Sequence, residues 1–241
     1  MAFEKLGHIM LDDMRMKASD IYKLAVKQQK KQDYNPPAYN ENKLNIRSVF
    51  EKGGMCFYVT PKNKAVKEYF MFLHGGGFVS QMSHSEWKFV LDTVENTGYG
   101  AVIPVYPLAP EHSVAEAVDM LSGAYEKLCE KEEADRIVLL GNSSGGCLAL
   151  SVALQLWKNG IRRPDKLVLC SPVLDTEFND MDLEQEMGDR HRFAYGYYYT
   201  PEIKRFLGQY WVKGAAGRVD LTSPVSVSYT HLRAHETLSD L

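Results

Sequence analysis

Short apolar segments alternate with longer helical stretches through the middle of the chain, and this rhythm restricts the possible folds more than any other feature. The apolar segments are rich in Val, Ile, Leu and Phe, which is typical of strands buried on both faces of a sheet. Strands that alternate with helices form a parallel sheet covered by those helices. The sequence therefore predicts an α/β fold with a doubly wound, mostly parallel sheet. The predicted strands are MCFYV (55–59), YFMFL (69–73), AVIPVY (101–106), RIVLL (136–140) and KLVLC (166–170).

Three helices between these strands carry clear local signals. The segments SHSE (83–86) and SVAE (113–116) fit the capping box, in which a serine and a glutamate three positions later satisfy free backbone N–H groups at a helix start. The third helix, from residue 145 to about residue 158, is apolar nearly all round, so we expect it to be central and buried. Asn-Gly at 159–160 is a good ending for it.

The segment GNSSG (141–145) directly follows the strand RIVLL and opens the third helix. A serine on a tight strand-to-helix turn projects its hydroxyl above the sheet, and the flanking glycines remove side chains that would clash there. The start of the helix adds a field that favours developing negative charge. Ser143 is therefore a candidate nucleophile. The alternative is a glycine-rich turn without chemistry.

A second glycine-rich segment, HGGGF (74–78), follows the strand YFMFL. Three glycines at a strand end allow the backbone N–H groups to turn toward a ligand, as an oxyanion hole requires. A phosphate-binding loop is the other possibility, but the Lys-Ser/Thr pair of a P-loop is absent from this segment. We expect His74 to shape the loop through local hydrogen bonds and not to act as the catalytic base.

Together these segments resemble the α/β-hydrolase superfamily and, within it, the esterases similar to hormone-sensitive lipase. The resemblance rests on HGGGF (74–78), YPLAPEH (106–112) and GNSSGG (141–146). The serine segment of that family usually has Asp and Ala where this chain has Asn142 and Ser144. Both replacements are conservative in size.

The resemblance implies a serine carboxylesterase that works through an acyl-enzyme. Ser143 would attack the carbonyl of a small-molecule ester, and no metal or organic cofactor would be needed. The oxyanion hole is assigned to the glycine loop (Gly75, Gly76 and Gly77) and to the residue after the nucleophile, Ser144.

The resemblance also suggests how the chain is divided. Residues 1–45 match the N-terminal helical cap of the family by position, and residues 46–226 form the hydrolase core, which we expect to be incomplete. A tyrosine-rich cap insertion is predicted at about 180–214. Residues 227–241 are predicted to be a non-native tail, because VSYTHLRAHET within them resembles an in-frame translation of a sequencing-library adapter.

The other members of a catalytic triad are harder to assign. In this fold the acid and then the histidine follow the serine along the chain. His231 and His235 lie in the predicted tail, and Asp175 is the one native-looking acid that could approach a base. Glu111 and His112 are interpreted as structural. We therefore expect this chain to hydrolyse esters very slowly or not at all, and a hydrolase-fold protein that binds small molecules without catalysis is the alternative function.

Charge and cysteine content exclude several other classes of protein. With 28 Lys and Arg against 31 Asp and Glu, the net charge of −3 argues against a nucleic-acid-binding protein. No apolar run reaches the length of a membrane span. The four cysteines are far apart, which suggests free thiols in a reducing compartment, so we expect a cytoplasmic location. The oligomeric state is left open.

Overall fold

The structure is a computed structural model in which residues 18–31, 33–62, 64–174, 176, 206–215 and 218–224 are described. Several features predicted above lie outside these residues. They are the first 17 residues of the N-terminal cap segment, Asp175, the tyrosine-rich part of the cap insertion before residue 206, the tail at 227–241 and its two histidines, His231 and His235.

One mixed, mostly parallel sheet of six strands organises the described residues. The strands are β1 (Leu44–Glu51), β2 (Gly54–Pro61), β3 (Glu68–Leu73), β4 (Gly100–Val105), β5 (Arg136–Asn142) and β6 (Lys166–Cys170). Their spatial order is β1-β2-β4-β3-β5-β6. Only β2 runs antiparallel to its neighbours, while β4, β3, β5 and β6 pair in parallel. The predicted α/β sheet is confirmed.

Successive residues of the central strands pack into two separate cores, one on each face of the sheet. In β3, Tyr69, Met71 and Leu73 belong to one core, and Phe70 and Phe72 belong to the other. This alternation follows from the two-residue period of a strand. Because both faces are covered, the strands carry apolar residues at consecutive positions, which is the pattern visible in the sequence.

Helices cover both faces. They are α1 (Ala18–Gln29), α2 (His84–Thr97), α3 (Val114–Lys131), α4 (Ser144–Lys158) and the short α5 (Val219–Thr222), with a π-helical turn at Leu207–Trp211. Helix α2 packs on the face of Phe70, and α1, α3 and α4 pack on the opposite face. None of the described helices combines the length and apolar character needed to cross a bilayer.

The predicted helix ends are confirmed. Ser83 and Ser113 cap α2 and α3, and both capping boxes are complete. Helix α4 is buried along nearly its whole length and ends at Asn159, followed by Gly160 in the left-handed region. These signals depend on residues a few positions apart, so the local sequence is enough to specify them.

Strand β1 is the element that the sequence did not indicate. Among the described strands it pairs with β2 alone, and most of its side chains are exposed or half-buried. The Phe50 side chain, for example, is 72% exposed. An edge strand of this kind needs no continuous apolar run, because the hairpin pairing with β2 supplies its backbone hydrogen bonds.

Residues near the two ends of the described chain pack on the same core. The Gln29 side-chain amide of α1 donates to the carbonyl oxygens of Val79 (2.8 Å) and Ala109 (2.6 Å). At the other end, the buried Asp220 carboxylate of α5 accepts from Lys158 Nζ and from Arg218 Nη2, both at 3.0 Å. These polar contacts fix α1 and α5 against segments that are distant in the sequence.

Candidate active site

Ser143 occupies the turn between β5 and α4 with φ of 53° and ψ of −118°. Its N–H donates to Cys170 O at 2.8 Å, and its carbonyl oxygen accepts from Gly146 (2.9 Å) and Val173 (3.1 Å). Residues other than glycine rarely adopt a positive φ, and this conformation costs about 1–3 kcal/mol. The backbone hydrogen bonds of Ser143 hold it in place. Ser143 is half-buried, and Ser144 begins α4, where the first N–H groups lack partners within the helix.

The glycines on either side of Ser143 lie where no side chain fits. A Cβ on Gly141 would be 2.3 Å from Gly145 O. One on Gly145 would be 2.1 Å from Leu73 O and 2.3 Å from His74 O. These approaches pack the start of α4 directly against the end of β3. The turn at residues 141–145, here called the nucleophile turn after the role predicted for Ser143, and the loop that follows β3 are therefore neighbours, although they are about seventy residues apart in the chain.

The glycine loop after β3 adopts backbone angles that favour glycine, as its sequence predicts. Gly76 and Gly77 have φ of 122° and 59°, and a Cβ on Gly76 would be 2.4 Å from Ser80 O. Across the described residues no hydrogen bond engages the N–H of Gly76 or Gly77. The N–H of Gly75, in contrast, donates to Glu86 Oε1 at 2.7 Å. Gly75 was predicted as an oxyanion donor, but its N–H already has a partner.

Glu86 connects this loop to the nucleophile turn. Its Oε1 accepts from Gly75 N–H and also from Asn142 Nδ2 at 3.0 Å. Its Oε2 accepts from the Ser83 N–H (3.0 Å) and hydroxyl (2.8 Å) as part of the capping box of α2. Burial alone would raise the pKa of Glu86, but the nearby His74 and the donors of Ser83, Asn142 and Gly75 hold it below its ordinary value.

His74 is buried behind the glycine loop. Its Nδ1 donates to Gly75 O at 2.6 Å, and its ring stacks on Tyr106 with centroids 4.2 Å apart. The Tyr106 hydroxyl donates to His74 O at 2.7 Å. Burial lowers the pKa of His74 and outweighs the opposing effect of Glu86. The predicted loop-shaping role of His74 agrees with these local contacts.

Aromatic side chains from both ends of the described chain pack on the core that also holds Phe78, the residue after the glycines. Phe78 stacks on Trp211 with ring centroids 4.8 Å apart, and both are buried. Tyr210 contacts Tyr22 of α1 and Phe206, in each case with centroids 5.1 Å apart. The two ends thus form one aromatic cluster beside the glycine loop.

None of the described histidines is hydrogen-bonded to Ser143, the predicted nucleophile. No hydrogen bond joins His74, His84 or His112 to Ser143 in the part of the chain that the structure describes. His112 Nδ1 instead lies 3.1 Å from Glu116 Oε1 on an exposed surface, as expected for a structural residue. The structure brings Ser143, Ser144 and the glycine loop together without showing a base for Ser143 among the described residues.

Residues 70–237 match the sequence profile of the family described as alpha/beta hydrolase fold. The chain belongs to the α/β-hydrolase family. This match covers the glycine loop, the nucleophile turn and most of the sheet of the hydrolase core.

Several curated relatives share about a third of their aligned residues with this α/β hydrolase. A triacylglycerol lipase of Mycobacterium tuberculosis is 32% identical over 109 residues, which are 45% of this chain and 25% of that protein. An esterase of Acinetobacter venetianus is 33% identical over 104 residues, or 43% of this chain and 34% of the relative. Mouse hormone-sensitive lipase is 32% identical over 118 residues, which are 47% of this chain and 15% of that protein. The predicted resemblance is confirmed, and the chain spans about a third or less of the length of these relatives.

Solved structures share the fold of this hydrolase. A thermostable esterase from Pseudomonas putida superimposes with a TM-score of 0.64 at 24% identity, over 89% of this chain and 67% of that one. A fungal esterase from Rhizomucor miehei superimposes with a TM-score of 0.64 at 19% identity, over 89% of this chain and 68% of that one. At such identities the likeness shows the fold alone.

Two residues of the site escaped the sequence-based predictions. Glu86 is recognisable in the sequence as part of a capping box, but its second oxygen serves the glycine loop and Asn142. Gln29 bonds to two carbonyl groups, of which the Val79 carbonyl directly follows the glycine loop and Phe78. No local pattern marks either role, because each contact spans at least 11 positions.

Proposed function

We propose that this chain carries the acyl-transfer site of a serine ester hydrolase. The observation that supports this most is Ser143, held at positive φ between β5 and α4, with the glycine loop packed against the same turn. Such strain persists only where the surrounding structure enforces it, and it is characteristic of functional sites. The lipases and esterases among the relatives point to the same chemistry.

In the proposed reaction, the Ser143 hydroxyl attacks the ester carbonyl and loses its proton to a base. The tetrahedral intermediate expels the alcohol, and water then releases the acid from the acyl-enzyme. The N–H groups of Gly76, Gly77 and Ser144 would bind the oxyanion, and each such donor lowers the barrier by about 3 kcal/mol. Gly75 would shape this hole instead of donating to it, because its N–H is bonded to Glu86.

Very slow or absent turnover is part of the proposal. Two of the described histidines are engaged elsewhere, His74 with the Gly75 carbonyl and His112 with Glu116. Without a base, Ser143 stays a weak nucleophile, and the loss of the base alone lowers kcat by about 10⁶. We also propose a cytoplasmic location, with the four free thiols in a reducing compartment.

A fluorophosphonate probe tests the serine directly. We expect slow covalent modification at Ser143, located by peptide mass spectrometry, that is faster in the folded chain than in the chain unfolded by urea. Ser143→Ala should abolish it, and Ser151→Ala, which changes a buried serine of the same helix, should leave it unchanged. Equal rates in the folded and unfolded chains would contradict the proposal, and ligand binding without labelling would favour the non-catalytic alternative. Turnover of p-nitrophenyl acetate at rates typical of esterases would contradict only the expected very low rate and not the proposed role of Ser143.

A further inference from the structure

We propose that Glu86 is a positioning residue for ester hydrolysis, which anchors the oxyanion loop to the nucleophile turn through one carboxylate oxygen. This inference rests on the proposed function of Ser143. It starts from the position of the Glu86 carboxylate, which lies between three segments that the chain brings together only on folding.

The first segment is the glycine loop. The bond from Gly75 N–H to Glu86 Oε1 is 2.7 Å long, which is short for an N–H donor and typical of a charged acceptor. It sets the orientation of the peptide plane between His74 and Gly75, at the start of the glycine loop. Since Gly76 and Gly77 have no side chains to limit their rotation, an anchor at Gly75 limits the directions in which their N–H groups can point.

The second segment is the nucleophile turn. Asn142 Nδ2 donates to the same oxygen, Glu86 Oε1, at 3.0 Å. Asn142 is the last residue of β5 and directly precedes Ser143. One oxygen atom therefore bridges the two segments whose relative position determines the distance between the Ser143 hydroxyl and the proposed oxyanion donors. Displacements of about 1 Å in such geometry can reduce rates by about a hundredfold.

The third segment is the start of α2, which holds Glu86 itself. Ser83 donates to Oε2 through its N–H and its hydroxyl. The carboxylate thus accepts four hydrogen bonds, and both of its oxygens are saturated. A glutamine has the same shape but only one acceptor oxygen, so its NH₂ group would face at least one of the N–H donors.

The chain provides a matched control in the second capping box. Glu116 Oε2 accepts from the Ser113 N–H (2.8 Å) and hydroxyl (2.9 Å), as Glu86 does from Ser83. The other oxygen of Glu116 faces His112 on an exposed surface, and no hydrogen bond joins Glu116 to the glycine loop or to Asn142 among the described residues. Glu116→Gln and Glu86→Gln therefore perturb equivalent helix caps, and only Glu86→Gln also weakens the bonds that join the glycine loop to Asn142.

The test measures Ser143-dependent hydrolysis of p-nitrophenyl acetate, taken as the rate above that of Ser143→Ala. We expect kcat to fall about tenfold or more in Glu86→Gln with KM changed less than about threefold, and both constants to stay within about twofold in Glu116→Gln. Glu86→Asp, which keeps the charge, should recover part of the loss. A folded Glu86→Gln variant with kcat within about twofold of the parent would overturn the proposal.

Asn142→Asp decides the matter if Glu86→Gln does not fold. It places a second carboxylate next to Glu86, and His74 and Tyr106 are the other titratable groups that face Glu86 among the described residues. Two adjacent carboxylates share a proton at low pH and repel each other when both ionise. We expect activity to be lost as pH rises, and a profile equal to that of the parent would overturn the proposal.

The two proposals fail in distinguishable ways. If hydrolysis by the parent does not exceed that of Ser143→Ala, fluorophosphonate labelling of Ser143 decides the proposed function, and the anchor is judged by hydrogen exchange of the Gly75 amide. Exchange that accelerates about tenfold in Glu86→Gln but not in Glu116→Gln would support the anchor. Unchanged exchange would overturn it.

Discussion

Replacing Gly145 by alanine should strongly destabilise the protein, because the added methyl has no room. Gly145 lies in the first turn of α4, and its Cα faces the backbone at the end of β3. The new Cβ would be 2.1 Å from Leu73 O and 2.3 Å from His74 O. Cβ atoms essentially never come within 3.0 Å of another heavy atom. Neither obstacle is a flexible side chain, so the helix must move away from the sheet by about 1 Å.

The size of the effect follows from that displacement. Helix α4 is buried along nearly its whole length, so its movement loosens contacts with β3, β5 and β6 together. Inserting a methyl group into a packed interior costs about 1–3 kcal/mol, and backbone obstacles place this case at the upper end, near about 3 kcal/mol. A typical domain is stable by about 5–15 kcal/mol, so Gly145→Ala should remain measurably folded.

Urea unfolding followed by circular dichroism measures this difference. Gly208→Ala is the control, because Gly208 is exposed in the π-helical turn and, apart from the turn's own backbone, no described atom lies within 4 Å of the added methyl. It should leave the free energy of unfolding unchanged or raise it by about 0.4–1 kcal/mol. A Gly145→Ala variant within about 0.5 kcal/mol of the parent would refute the close approach of α4 to β3.

Two further predictions concern the polar contacts at the ends of the described chain. Gln29→Ala should lower the free energy of unfolding by about 1–3 kcal/mol, because two buried carbonyls lose their donor. Gln28→Ala, which loses no side-chain hydrogen bond to the described residues, should change the free energy of unfolding by less than about 0.5 kcal/mol. Equal effects of the two substitutions in a urea titration would contradict the contact of Gln29 with the two carbonyls. Burial would raise the pKa of Asp220, but Arg218 and Lys158 lower it overall. The ion pair therefore contributes to stability above the ordinary pKa of an aspartate, about 3.9, and this contribution is lost as pH falls through the lower pKa of the folded state. Asp220→Asn should therefore flatten the pH dependence of unfolding below about pH 4, and an unchanged slope would count against this ion pair.

Much of the fold could be predicted because its signals are local. The capping boxes at Ser83 and Ser113 act over three positions, and the turn at Ser143 needs only its neighbouring glycines and the elements on either side. The strands that face both cores carry apolar residues at consecutive positions, as β3 does with its run from Tyr69 to Leu73. In each case the stabilising interaction lies within the segment or follows from its periodicity.

The sequence by itself thus determined the alternation of strands and helices, the helix ends, and the placement of Ser143 above a glycine-flanked turn. Tertiary structure alone decided which loop N–H groups are free, because the partner of Gly75 is a carboxylate on α2. It also decided that β1 joins the sheet and that Gln29 reaches the segment after the glycine loop. The physical reason is distance along the chain. A donor and an acceptor that meet only after packing leave no periodicity or spacing in the sequence, so their pairing becomes visible only when the helices lie on the sheet.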